Sequence, residues 1–313
     1  MVAVYEIMPE RATLHGHFSR DLPPCLTVQS GDTVRFRTLE ANWTLAQRTE
    51  TGNAPKFKPR SEADKGHALC GPVFVEGAEP GMTLEVQIGD VTPGDWGYTN
   101  AGGWSSLVND ALGVADGEGI VHLWALDTAA MTGRNQHGHA VGLRPFMGVM
   151  GMPADMPGWQ STTPPRVSGG NLDCKELVAG SSLFLPVAVP GGLFSAGDGH
   201  AAQGDGEVSG LAIECPMERV DLTFRLHPNM TITTPRAKTP AGWIALGLDE
   251  DLNVAMKTAL GVMLDLMGEL HGLTRQDALA LASVAVDLRI TQVVNGVQGV
   301  HALLPDGALR MPT

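Results

Sequence analysis

Charge is sparse in this 313-residue sequence: Asp, Glu, Lys and Arg make up 18% of it. A chain so poor in charge, and 43% hydrophobic, has apolar surface enough for a large core, and no part is built to stay unfolded. Positive charge is the scarcer sign. Lys and Arg number 21 against 34 Asp and Glu, a net charge of −13. Such a chain repels phosphate backbones and anionic head groups, and no basic run offsets this, so nucleic acid and membrane surfaces are excluded as partners. Cysteine is scarce too. Cys25, Cys70, Cys174 and Cys215 are scattered without a CxxC pair and read as reduced thiols. Long apolar runs are missing; the longest clean ones, such as Leu183 to Val189, are strand-sized. The first residues lack a basic segment followed by an apolar one, so the expected compartment is the cytoplasm. There is no P-loop, no GxGxxG after a strand, no HExxH and no GxSxG. Internal repeats and low-complexity tracts are absent as well.

Glycine and proline are abundant, at 39 and 21 residues. They favour turns, hence many short strands rather than a helical bundle. Leu26 to Arg37 alternates apolar and polar residues on both sides of Ser30-Gly31-Asp32, which reads as a hairpin or strand–turn–strand. Further strands are read at Val73 to Val75, from Thr83, at Ile120 to Trp124, at Ser182 to Pro190, at Val208 to Glu214 and from Val220. Residues 92–117, rich in Gly, Asn, Asp and Trp, read as a long loop. Near the end, Leu252, Ala255, Ala259, Met263, Leu266 and Leu270 recur at helical spacing and stop at Gly272. Thr274-Arg-Gln-Asp277 is a capping box with Asp in place of Glu, opening a second helix to about Leu288. From Ile290 a strand and turn follow, with Asn295-Gly296 as the turn signal. The expected fold is mainly β with a small α/β C-terminal part. It divides into an N-terminal β-rich region (1–130), a central β-rich region carrying Gly-rich motifs (131–245) and a C-terminal α/β region (246–313).

The best chemical candidate is Asp198-Gly-His200. Two donors two residues apart share a side of an extended chain, and imidazole nitrogen with carboxylate oxygen suits zinc or a similar divalent ion. The same residues also fit a polar loop. Asp173 is either a third ligand or a turn cap. His67, like His15 and His17, fits a structural role as well as ligation. Glu214 follows Leu211-Ala-Ile213, where a carboxylate is costly unless paired or functional. It and Glu207 are candidates for the catalytic general base beside an activated water, with Glu207 favoured because Gln203-Gly-Asp-Gly-Glu207 is a glycine-rich approach to the site, or they are exposed strand ends. Ser181-Ser182 offers a weaker nucleophile, lacking a catalytic-lysine motif.

These segments add up to a known pattern. Residues 190–210, PGGLFSAGDGHAAQGDGEVSG, carry the central motif. Gly169-Gly-Asn-Leu-Asp173 joins it, with His15-Gly-His-Phe-Ser-Arg-Asp-Leu-Pro-Pro24, Gly66-His-Ala-Leu-Cys-Gly-Pro72, Gly77-Ala-Glu-Pro-Gly81 and Val293-Val-Asn-Gly-Val-Gln-Gly-Val-His301. In order, and over nearly the whole chain, the sequence resembles the acetamidase/formamidase family. The resemblance implies hydrolysis of small linear amides and a β-rich fold with barrel-like and sandwich-like portions. It also implies a bound divalent metal, with zinc expected and calcium the other candidate, held by Asp173, Asp198 and His200 with His67 close by. Two rival readings stand beside it: a hydrolase of cyclic amides, and a non-catalytic small-molecule-binding protein of the same fold. Met and Trp residues gathered between Phe146 and Trp159 predict a homo-oligomer.

Overall fold

Apolar–polar alternation becomes strand over most of the chain. Thr33–Thr38 buries Val34, Phe36 and Thr38 and turns Thr33, Arg35 and Arg37 outward, the period of a strand with one face on a core. The computed structural model describes residues 3–49, 53–58 and 61–310. Its strands form two large sheets. The nine-stranded sheet runs Val4–Ile7, Thr33–Thr38, Met217–His227, Thr83–Pro93, Ser182–Pro186, Arg236–Thr239, Gly242–Asp249, Gln298–Pro305, Asp287–Gln292. Strands from all three sequence regions therefore meet in it.

The eleven-stranded sheet runs Ala140–Gly142, Thr132–Asn135, Ile120–Asp127, Trp96–Ala101, Glu214–Cys215, Phe194–His200, Phe146–Gly151, Gly169–Asn171. Leu69–Val75 branches from Phe194–His200 and pairs with Leu14–His15 and Leu26–Val28. Among the described residues neither sheet closes into a barrel. One apolar cluster joins the two sheets, as in a sandwich. Phe194 of one meets Phe224 of the other edge-on, with ring centroids 5.1 Å apart.

Two elements differ from the sequence reading, and a third settles between its alternatives: Leu26–Val28 and Thr33–Thr38 form the strand–turn–strand rather than the hairpin and enter different sheets. The turn between them is tied by Asp32, whose carboxylate accepts from the Gln29 and Ala3 amides, so it redirects the chain from sheet to sheet. Residues 92–117 contain the strand Trp96–Ala101 and the helix Leu107–Leu112. The small polar residues that suggested a loop act there as caps: Ser106 accepts from the Asn109 amide, and Gly113 ends the helix in the left-handed conformation. Residues 208–213 form no strand; pairing starts only at Glu214–Cys215.

The C-terminal helices Leu252–His271 and Arg275–Ala285 begin and end on local signals. Asp251 and Thr274 cap their N-termini, and Gly272 closes the first at φ 67°. Ala255, Ala259, Met263 and Met267 pack against Ala245, Val300 and Ala302 in a second core. Among the described residues no helix is long and apolar enough to cross a membrane, and no disulfide joins the cysteines; Cys70, Cys174 and Cys215 are buried.

Candidate active site

The strand Phe194–His200 is buried along its whole length between Phe146–Gly151 and Glu214–Cys215. Its end delivers Asp198 and His200 to the interior, and the pairing of His200 with Glu214 brings that carboxylate alongside. His200 Nε2 stands 3.4 Å from Asp198 Oδ1 and 3.3 Å from Glu214 Oε1. Asp173 Oδ1 lies 4.0 Å from His200 Nδ1. The two donors of Asp198-Gly-His200 do converge, though not by plain extended alternation. Asp198 has φ 61°, and Asp173 and Glu207 have φ 45° and 47°. Three of the site's acids thus occupy the left-handed region, a strained conformation for non-glycine residues that clusters at functional sites.

Neighbours fix the orientation of each group. Gln203 Oε1 meets His200 Nδ1 at 2.9 Å, and its amide nitrogen donates to the Asp173 carbonyl at 2.7 Å. Asn295 Nδ2 donates to Asp173 Oδ2 at 2.7 Å. The Ala212 amide donates to Glu214 Oε1 at 3.0 Å. Glu207 is buried, and the backbone next to it is clamped to the last strands: Gly206 N donates to the Thr291 carbonyl and Val293 N to the Gly206 carbonyl. Asp173, Asp198, Glu207 and Glu214 line a cavity of about 280 Å³ with His67 and Asn295.

His200 Nε2, Asp173 Oδ1 and Glu214 Oε2 are buried and have no hydrogen-bond partner. Leaving such atoms unmet costs roughly 1–3 kcal/mol each, so a shared partner is called for. The electrostatics agree. Burial, opposed by His200 and reinforced by Asp198, pushes Asp173 up to about 6, and burial pushes Glu214 up to about 8. Burial and the Asp173 charge raise Glu207 well above the usual carboxylate range. Burial acts upward on Asp198 as well, but His200 and His67 outweigh it and hold Asp198 below its ordinary value. Burial acts downward on His200, yet Glu214 and Asp198 keep it well above its ordinary value. The protons so retained stand where positive charge is missing.

A divalent cation fits this donor set. Asp173, Asp198 and His200 place ligand atoms within 4.8 Å of one another, as do His200, Glu207 and Glu214. Gly148 keeps the space clear: a Cβ there would come 2.6 Å from both Asp173 Oδ1 and Asp198 Oδ2. His67 stands in the cavity wall outside both groups, its Nδ1 2.8 Å from Thr162 Oγ1. His15 and His17 engage Ser195 and Asp64, each at 2.9 Å. Ser182 donates to Glu85 and Ser181 to the Glu176 carbonyl. Sequence reasoning gave no site role to Gly148, Gln203 or Asn295, although Gln203 lies in the central motif and Asn295 in the Val293 to His301 motif.

Comparison with known proteins gives a consistent picture. The model of the Acetamidase/Formamidase family matches residues 4–157 and 158–307. A formamidase of Methylophilus methylotrophus is 30% identical over 247 residues, 63% of this chain and 60% of that protein. An acetamidase of Mycolicibacterium smegmatis is 29% identical over 253 residues, 62% of this chain and 61% of that protein. The matches thus span about 60% of the length of these curated relatives. Among solved structures, an acetamidase from Bacillus halodurans superposes with a TM-score of 0.83 at 26% identity, covering 96% of this chain and 97% of that one.

Proposed function

Because this chain belongs to the acetamidase/formamidase family, we propose that it hydrolyses small linear amides, of the acetamide or formamide type, to carboxylate and ammonia. The observation that carries this reading is the buried trio of unpartnered atoms, His200 Nε2, Asp173 Oδ1 and Glu214 Oε2, beside a small cavity that Asp173 and Glu214 line. A divalent ion held by Asp173, Asp198 and His200 supplies Lewis acidity there, and the mixed imidazole and carboxylate donors favour zinc over calcium.

The protein's own groups do the rest. Glu214 accepts from Ala212 through Oε1 and leaves Oε2 unpartnered, so Oε2 takes the proton of the attacking water and returns it to the departing amine. Ammonia leaves only when protonated, and the proton taken from the water serves that step. Glu207, buried across the same cavity, is the alternative base. Gln203 and Asn295 hold Asp173 and His200 in register. The cavity suits a small acyl group.

The test is ammonia release from formamide, acetamide, propionamide and a five-membered lactam, with metal analysis of the same preparation. Turnover of the linear amides supports the reading. Turnover of the lactam alone, or of nothing, overturns it. A cytoplasmic, homo-oligomeric protein completes the proposal, with Met156 and Trp159 exposed at 57% and 66% as the surface that meets another subunit.

A further inference from the structure

A second, larger cavity of about 460 Å³ lies outside the first and shares Ala41, Asn42, His67 and Thr163 with it. It therefore adjoins the acid-lined cavity. Its wall carries Lys56, Lys58 and Lys65. The whole chain has six lysines, so half of them gather at this one opening in a molecule of net charge −13. Among the described residues neither Lys56 nor Lys58 has an ion-pair partner, and Lys65 has only an exposed pair with Glu62 at 3.3 Å. The one acid in this wall, Asp64, is occupied: it accepts from the Gly16 amide and pairs with His17 and Ser61.

The lysine-bearing segment is held in place. Thr44 and Lys56 form a β-bridge, the Phe57 amide donates to the Trp43 carbonyl, and Phe57 packs on Trp43 at 6.4 Å. Trp43 Nε1 donates to the Gly66 carbonyl. Below it, buried Glu40 accepts from the Asn42 and Thr44 amides and from Tyr98. The two adjoining cavities thus differ in sign, with lysines around the outer mouth and carboxylates around the inner floor of the site as we read it. A neutral amide group suits the floor, and an anion suits the mouth.

We propose that the outer cavity binds a carboxylate at the far end of the acyl chain, so that the substrates are half-amides of short dicarboxylic acids. This rests on the amidase reading and narrows it. A positive opening on an acidic protein raises the local concentration of such anions, by about tenfold or more at low salt, and screening removes the gain.

The experiment compares succinamate and glutaramate with their neutral isosteres, 4-oxopentanamide and 5-oxohexanamide, by ammonia release. The expected result is a kcat/KM about tenfold higher for at least one anion than for its isostere. That ratio falls with added salt, collapses in the Lys56→Glu/Lys58→Glu double variant and survives in Lys56→Arg/Lys58→Arg. Loss of the anion's advantage with the neutral isostere's rate kept separates this effect from misfolding, which would lower both rates. A ratio near one for both pairs, or one untouched by charge reversal, overturns the proposal. If no amide is cleaved, the amidase reading has failed, and the same ratio is taken from dissociation constants by calorimetry. A preference for the anions then upholds the basic mouth, and its absence overturns it.

Discussion

Gly148 sets the spacing of the site more than any charged residue does. Its missing Cβ leaves room for Asp173 and Asp198 to approach each other. Gly148→Ala forces both carboxylates aside, and misplacement by about 1 Å costs roughly a hundredfold in rate. The expected outcome is kcat down by about that factor with bound metal reduced, measured by ammonia release and metal analysis on protein of unchanged circular dichroism. Asp198→Asn and His200→Ala should likewise lower metal and activity together. Glu214→Gln should lower kcat by about a hundredfold to ten-thousandfold with metal retained. Equal loss in Glu207→Gln alone would move the base to that residue. The legible part of the site was the part contiguous in sequence. Asp198 and His200 sit two residues apart, and Glu214 ends an apolar run. The roles of Gly148, Gln203 and Asn295 were not legible, because each acts on Asp173, which is distant from it in sequence, and nothing in Met-Gly-Val-Met or Asn-Gly marks such a partner. Strand pairing alone sets Gly148 beneath the carboxylates.

Secondary elements were readable where their signals are local. Both C-terminal helices start at residues whose side chains accept backbone amides, Asp251 and Thr274, and such caps depend on no distant contact. Strand partners were not readable. The alternation in Leu26–Val28 and Thr33–Thr38 fits any half-buried sheet, and tertiary packing sends the two to different sheets. Packing of the helix Leu252–His271 on Gly242–Asp249 turns on Gly247, whose added Cβ would run into the Ala255 carbonyl and the Ala259 amide. Gly247→Ala should destabilise the protein by about 1–3 kcal/mol in chemical denaturation. A second element-level prediction concerns acid. Asp221, on Met217–His227, receives Arg35 from the neighbouring strand and Arg219 from its own. Burial pushes its pKa up, but the two guanidinium groups outweigh that and hold it down at about 2. A carboxylate depressed in the folded state adds stability above its unfolded pKa, near 4, and loses it as pH falls through the folded value. Asp221→Asn should therefore be less stable than the parent at pH 7, and the gap should close between about pH 4 and pH 2. A gap independent of pH would refute the ion-pair account.

For the molecule as a whole, the cluster of buried acids is the feature that folding must accommodate. Asp173, Asp198, Glu207 and Glu214 are each at most 6% exposed, crowd His200 and line a cavity of about 280 Å³. Strands from the middle of the chain supply two of them, and the loop bearing Asn295 closes over Asp173 from near the end. Unfolding would therefore release several charged groups from one place at once. An ion bound only by the folded form stabilises it by about 2.7 kcal/mol at a hundredfold excess over its dissociation constant. For a chain of this size that raises Tm by roughly 4 °C. Chelation should lower Tm by that amount, and added zinc should restore it. Asp198→Asn and His200→Ala provide the control, because proteins that have lost the donor set should melt at temperatures insensitive to the chelator. Calorimetric scans of the three proteins with and without chelator decide the matter. A parent protein whose Tm ignores the chelator, with metal analysis confirming that the ion has been stripped, would show that the buried acids are balanced by their own protons and by His200 alone.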